Sequence, residues 1–315
     1  MKRERKQTIT QQIMADVAAS LRGRSHDLSR RQYVRDCKRF VKFCREQFYV
    51  RSFDACRPHI QAYSDHLQSE GYAASTIHTY LSAVCAVFGE NLGTIQKPIR
   101  HTSDYVRGRT PKHDSTRNDL EDPKWKSIVD FERAVGIRRD ELMHLCGRDL
   151  VFDESNHLCV YVARGKGGKP QWQRIAEGSE EFVRRYFVAV PPNERIFSSE
   201  MFQNDLNFHA LRAACAKEYY ENELWKIREL PGYADRLERE IRARWERCNR
   251  DRNGRTRRFR EAEITGWYTL RGKNRELALR RGLPLRYNKL ALLATSIFKL
   301  SHWRNDVTVA SYLLA

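Results

Sequence analysis

No stretch of this 315-residue chain comes near the roughly 18 consecutive apolar residues that a membrane-crossing helix needs. Its first residues, Met1-Lys2-Arg3-Glu4-Arg5-Lys6, are basic, but no apolar segment follows them, which argues against a secretory signal. The eight cysteines include no Cys-x-x-Cys pair, so their spacing fits neither a zinc module nor a dense disulfide framework. Reduced thiols in a cytoplasmic protein, several of them in the core, are the expectation. There is also no Gly-x4-Gly-Lys-Ser/Thr loop, so the glycine-rich turn at Gly165–Lys169 is not a P-loop. No carboxylate cluster or Cys/His set stands out as a metal site, and no cofactor is called for.

What the chain does have is positive charge. It carries 58 Lys and Arg against 40 Asp and Glu, a formal net charge of +18. With 41% hydrophobic residues it can still bury a real core, at a length of one large or two ordinary domains. A folded, strongly basic chain points to a polyanionic partner, most often nucleic acid.

The first hundred residues follow a helical period. A helix is expected near Ile9–Leu21, and a second after Ser29, which stands at capping-box distance from Gln32. In the latter Tyr33, Val34, Cys37, Phe40, Val41, Cys44 and Phe48 recur at helical period. A third helix opens at Pro58 and stops at Gly71, and a fourth runs from Ser75 to a C-cap at Gly89. Short links make these a compact bundle. The pattern breaks between about Leu92 and Asn118, a basic stretch that reads as an interdomain linker. Helices resume after Asp122-Pro123, then Leu158, Val160 and Val162 alternate with polar neighbours as a strand does. Trp172–Ile175 forms the return strand of a β-hairpin with Lys166 and Lys169 at its tip. Everything beyond reads mainly helical. The fold class expected is mainly α with a small β-sheet or hairpin.

Five short motifs stand in order along the chain: Gly136-Ile137-Arg138-Arg139-Asp140-Glu141-Leu142, the hairpin Gly165-Lys166-Gly167-Gly168-Lys169, His209-Ala210-Leu211-Arg212, Leu300-Ser301-His302, and finally Tyr312. In types and order they resemble the boxes of the tyrosine recombinase (phage integrase) family. The resemblance covers nearly the whole chain. It implies a SAM-like core-binding domain at 1–95, a basic linker at 96–117, and a mixed α+β catalytic domain at 118–315. Ser301 stands where the family usually has Gly. Arg139 and Lys169 are neighbours that compete for their roles, and the register of the boxes favours Arg138 and Lys166.

Physical chemistry accounts for the residue types. Breaking a DNA strand while conserving its bond energy needs a protein nucleophile, and a Tyr hydroxyl can form a phosphotyrosine ester. Negative charge gathers on the non-bridging oxygens in the transition state, and two fork-shaped guanidiniums clamp it. The resemblance implies that Arg138 and Arg212 are the clamp, Lys166 the general acid for the departing 5′ oxygen, and Tyr312 the nucleophile. His209 would take the Tyr proton or hold the phosphate, His302 would donate to a phosphate oxygen, and Glu141 would orient the cluster from the same helical face as Arg138.

Two departures matter. The stretch between Arg212 and His302 is much longer than in a typical member, with the surplus at about 217–283. It reads as a helical hairpin with an Arg-rich turn, either a DNA contact or synapsis surface or a solvated insertion. Only three residues follow Tyr312, where many relatives carry a further helix that couples protomers. Backbone contacts are expected from Arg107, Arg109 and Lys112 in the linker and from Arg255, Arg257 and Arg258 in the insertion.

The expected activity is site-specific recombination of a mobile element, with a 3′-phosphotyrosine intermediate. The expected assembly is a homo-tetramer on paired double-stranded DNA sites, with accessory DNA-bending factors as further partners. The location expected is the cytoplasm, at the nucleoid when DNA is bound. Same-chemistry alternatives are a type IB topoisomerase or a telomere resolvase; the non-enzymatic alternative is a silent DNA-binding accessory protein.

Overall fold

The computed structural model describes residues 8–20, 27–100, 120–165, 170–249 and 254–314. The chain divides into two compact units, Met1–Tyr105 and Val106–Ala315. The described residues are mainly helical, with two small sheets among them. Among the described residues, no helix is long and apolar enough to cross a membrane.

The first unit contains α1 (Ile9–Ser20), α2 (Asp27–Phe48), α3 (Ile60–Ser69) and α4 (Ala74–Phe88). Each helix turns one apolar stripe inward. Ile13 and Val17, then Cys37, Phe40 and Cys44, then Tyr63 and Leu67, then Ile77, Leu81 and Val84 share one core. The Phe40 ring packs 5.1 Å from Tyr63. Gly89 ends α4 at φ +67°, a left-handed cap that glycine adopts without a Cβ clash. Two expected starts move. α2 begins at Asp27, so Ser29 lies inside the helix rather than capping it. Pro58 falls within a 3-10 turn, Asp54–His59, and α3 proper begins at Ile60. Most of the expected linker lies outside the described residues.

The second unit opens with α5 (Lys126–Val135), and a left-handed turn at Gly136 leads into the one-turn helix α6 (Arg139–Leu142). Strands β1 (Leu150–Phe152), β2 (Leu158–Val162) and β3 (Gln171–Arg174) form an antiparallel sheet in sequence order. Val162 pairs with Gln171, which sets the hairpin register. The hairpin tip, including Lys166 and Lys169, lies outside the described residues. Helix α7 (Glu180–Val188) covers a core of Trp125, Ile128, Phe131, Val160 and Val183.

Helices α8 (Phe208–Glu229) and α9 (Tyr233–Cys248) form a helical hairpin, but its turn is a left-handed one at Gly232, and the Arg-rich run expected as the turn follows α9 instead. The inserted stretch is not wholly helical, however. Strand β4 (Trp267–Thr269) precedes α10 (Gly272–Arg280) and pairs antiparallel with β5 (Arg286–Asn288). These strands are three residues long, too short for a two-residue period to show against surrounding charge. Helix α11 (Lys289–Phe298) is buried along nearly its whole length. After it come α12 (Asn305–Thr308) and a π-helical turn, Val309–Leu313.

Candidate active site

Three turns and one helix start converge in the second unit. The first turn carries Arg138. It precedes α6 with extended backbone angles, as the helix N-cap. Glu141 therefore reaches it as a capping residue, not across a shared helical face. One Glu141 carboxylate oxygen accepts from the Arg138 backbone N–H at 3.1 Å, the other from its guanidinium at 2.6 Å. Burial alone would raise the Glu141 pKa, but the charge and hydrogen bonds of Arg138 outweigh it and hold the carboxyl below its ordinary value.

Arg212 lies near the start of α8, whose N-cap Asn207 accepts from the Ala210 N–H. Its side chain is 2% exposed. It donates to the Gly136 carbonyl at 2.5 Å and to the Leu300 carbonyl at 2.9 Å. Arg212 thus ties the turn before Arg138 to the turn before His302. Gly136 is required there twice over. Its φ is +69°, and a Cβ would lie 2.8 Å from the Cys215 sulfur on α8.

The second turn, after α11, carries His302. Ser301 holds φ +55°, a left-handed conformation that costs a residue with a Cβ of order 1–2 kcal/mol. Its hydroxyl donates to the Gln173 side-chain oxygen at 3.0 Å. His302 is partly buried, and its Nε2 finds no hydrogen-bond partner among the described residues. Desolvation, reinforced by the charges of Arg212, Arg138 and Arg304, lowers its pKa to about 3, so the ring is neutral at ordinary pH.

The third turn is the π-helical one and carries Tyr312, 9% exposed. Its ring centre lies 5.2 Å from that of His209 and 6.4 Å from that of His302. The Arg212 guanidinium carbon is 5.8 Å from the Tyr312 ring centre. His209, Arg212, His302 and Tyr312 therefore meet, with Arg138 and Glu141 adjoining. Lys166 lies outside the described residues, as do Arg107, Arg109 and Lys112. Arg255, Arg257 and Arg258 are exposed on the inserted segment.

Sequence reasoning missed a buried polar layer beneath these residues. Gln173, fully buried on β3, donates its amide to the carbonyls of Val135, Gly136 and Lys299. The buried Lys299 ammonium donates to the Ala134 and Arg174 carbonyls at 2.9 and 2.6 Å. Glu132 is wholly buried, and burial pushes its pKa well above the carboxylate range despite Arg212 and Lys299. Only Glu132 left a trace in the sequence, as a carboxylate on the apolar face of α5.

Among the described residues, one group has metal-ligand character: Asp153, His157 and Glu240, with ligand atoms within 4.8 Å of one another. The cation there is Arg174. Its guanidinium pairs with Asp153 at 2.8 Å and also with Glu240, and Arg244 stands 3.7 Å from Asp153. Burial works against ionisation of Asp153, but hydrogen bonds and arginine charge hold its carboxyl far below its ordinary value.

The family match with known proteins falls on the first unit. Residues 19–90 match the family described as phage integrase, N-terminal SAM-like domain. A solved structure, the crystal structure of XerA recombinase, aligns with 67% of this chain and 84% of its own, at 16% identity and a TM-score of 0.23. No curated protein matches the chain. Residues 19–90, which hold most of α2 to α4, are thus similar to the SAM-like N-terminal domain of the phage integrases.

Proposed function

We propose that this chain is a site-specific DNA recombinase that cuts and rejoins strands through a 3′-phosphotyrosine intermediate. The observation that carries the reading is the placing of Tyr312 against His209, His302 and the buried Arg212. A packing aromatic has no need of two imidazoles and a guanidinium around it.

In the forward step the Tyr312 oxygen bonds to phosphorus, and the bond from phosphorus to the 5′ oxygen breaks. His209 receives the phenolic proton, and Lys166 supplies one to the departing 5′ oxygen. Arg138 and Arg212 neutralise charge on the non-bridging oxygens. The neutral His302 directs Nε2–H at one of them. A 5′-hydroxyl from a partner duplex then attacks the ester and releases Tyr312, so one phosphodiester replaces another and the bond energy is kept.

The Gly136 carbonyl accepts from Arg212, while the next residue but one is Arg138. One short turn therefore sets the spacing of both guanidiniums, as a preorganised clamp needs. In this reading residues 1–95 and the linker, with Arg107, Arg109 and Lys112, hold the duplex, and the working assembly is a tetramer on paired sites in the cytoplasm.

The test is trapping. The full-length protein, incubated with a suicide duplex from the ends of its own element, is expected to form a covalent protein–DNA adduct. Tyr312→Phe is expected to bind the same duplex and form none. Wild-type adduct levels in Tyr312→Phe would overturn the assignment of the nucleophile.

A further inference from the structure

The inserted stretch has two sequence-level readings, a nucleic-acid contact or an inert solvated surface, and its packing separates them. Helix α9 is clamped to the two chain segments that flank the candidate site. Toward the β-hairpin, Glu240 pairs with Arg174 of β3, and Arg244 donates to the Trp172 carbonyl at 3.5 Å. Toward the His302 turn, the Trp245 ring meets Trp303 edge-on at 4.9 Å. Trp303 directly follows His302. The Asn305 side chain adds a bond to the Glu263 carbonyl at 2.7 Å.

Trp245 also fixes the arginine run that follows α9. Its indole N–H donates to the Arg257 carbonyl at 2.6 Å, and Phe259 packs edge-on against it at 5.4 Å. The Arg257 N–H in turn donates to the Asn249 carbonyl at 2.8 Å. A run of charge on a solvated loop would need none of these ties. Here the backbone is pinned from both sides while Arg257, Arg258 and Arg260 stay exposed. Glu261, the acidic residue that ends the run and acts on Arg258, is itself engaged by Arg242 at 2.8 and 2.6 Å. The strip therefore presents a net positive, preordered face.

We propose that Arg257, Arg258 and Arg260 form an accessory DNA-backbone contact, fixed beside the reacting phosphate by the Trp303–Trp245–Phe259 aromatic clasp. The partner is the phosphate backbone of the duplex flanking the cut, contacted without reading bases. This rests on the DNA-cleaving reading and adds to it a role for the segment that lengthens the chain between Arg212 and His302. A rigid mount matters because a guanidinium held in place loses less freedom on meeting a phosphate than one on a loose loop.

The experiment is the salt dependence of binding of the full chain to a labelled duplex of mixed sequence, over a series of KCl concentrations. Each phosphate contact contributes about 0.9 to the slope of log K against log salt. The triple variant Arg257→Ala/Arg258→Ala/Arg260→Ala is expected to lower that slope by about two to three, with an unchanged circular dichroism spectrum. The triple Arg→Lys variant is expected to keep most of the slope, because lysine also binds phosphate as a point charge. Phosphate-ethylation interference is expected to lose, in the Ala variant, a patch next to the cleaved phosphate. An unchanged slope in the Ala variant, or an equal drop in both variants, overturns the proposal while leaving the enzyme reading intact. Wild-type protein that binds no DNA overturns both.

Discussion

His302 is the residue whose environment is most informative. It is neutral because burial and three guanidiniums, those of Arg212, Arg138 and Arg304, oppose its proton, and Asp306 compensates only in part. In the unfolded chain the same ring takes up a proton near pH 6.5. Between pH 6.5 and about 3 the unfolded state therefore binds more protons at this site than the folded state. Its contribution to stability is present above pH 6.5 and is lost as the pH falls toward 3. We predict that His302→Gln, which cannot titrate, loses less stability than the wild type on acidification from pH 7 to pH 4. Urea midpoints for the two proteins at several pH values check this, and parallel curves would contradict it. The variant is also expected to slow adduct formation on the suicide duplex, since the neutral imidazole's N–H is lost from the phosphate.

At the scale of elements, the site is a set of turns tied together by one buried amide. Gln173 on β3 donates to carbonyls before both the Arg138 and the His302 turns and accepts from Ser301. It touches no substrate in the proposed reaction, so it is a positioning residue. We predict that Gln173→Leu binds DNA within about twofold of wild type but forms the covalent adduct roughly 10- to 100-fold more slowly, as a misplaced clamp would. Equal losses in binding and adduct formation would point to general unfolding instead. Gln173→Glu keeps the acceptor for Ser301 but not the donors, so it is expected not to restore the rate. The same elements show what the sequence made legible. The bundle helices announced themselves through apolar stripes such as Ile77, Leu81 and Val84, since helical period survives in any window of that length. His209, Arg212, His302 and Tyr312, which the structure brings together, stood out only through the order of their motifs along the chain, since each motif alone is weak. Gln173, Lys299 and Trp303 were not, because their roles depend on contacts between segments far apart in the chain. β4 and β5 were too short to show a period. Arg138 and Glu141 were paired correctly, but through a helix cap rather than a helix face.

At the scale of the whole molecule, two separate cores imply two folding units. The N-terminal core gathers residues from Ile13 to Cys85, and the largest core of the second unit gathers residues from Trp125 to Leu211. All six tryptophans, from Trp125 to Trp303, lie in the second unit, whereas helix is abundant in both. Intrinsic fluorescence thus follows the second unit alone, and far-ultraviolet circular dichroism follows both. If the units unfold independently, the two signals cannot trace one curve, because coincident transitions are a mark of two-state behaviour. We predict that urea unfolding of the free protein gives a broader dichroism transition than the tryptophan transition, with a component that fluorescence does not see. Saturating duplex DNA, which in the proposed reaction engages both units at once, is expected to raise both transitions and draw them together, since a ligand that binds only the native pair stabilises both members. Superimposable curves without DNA would mean that the two cores unfold as one, and that the division at Tyr105–Val106 is not a division in stability.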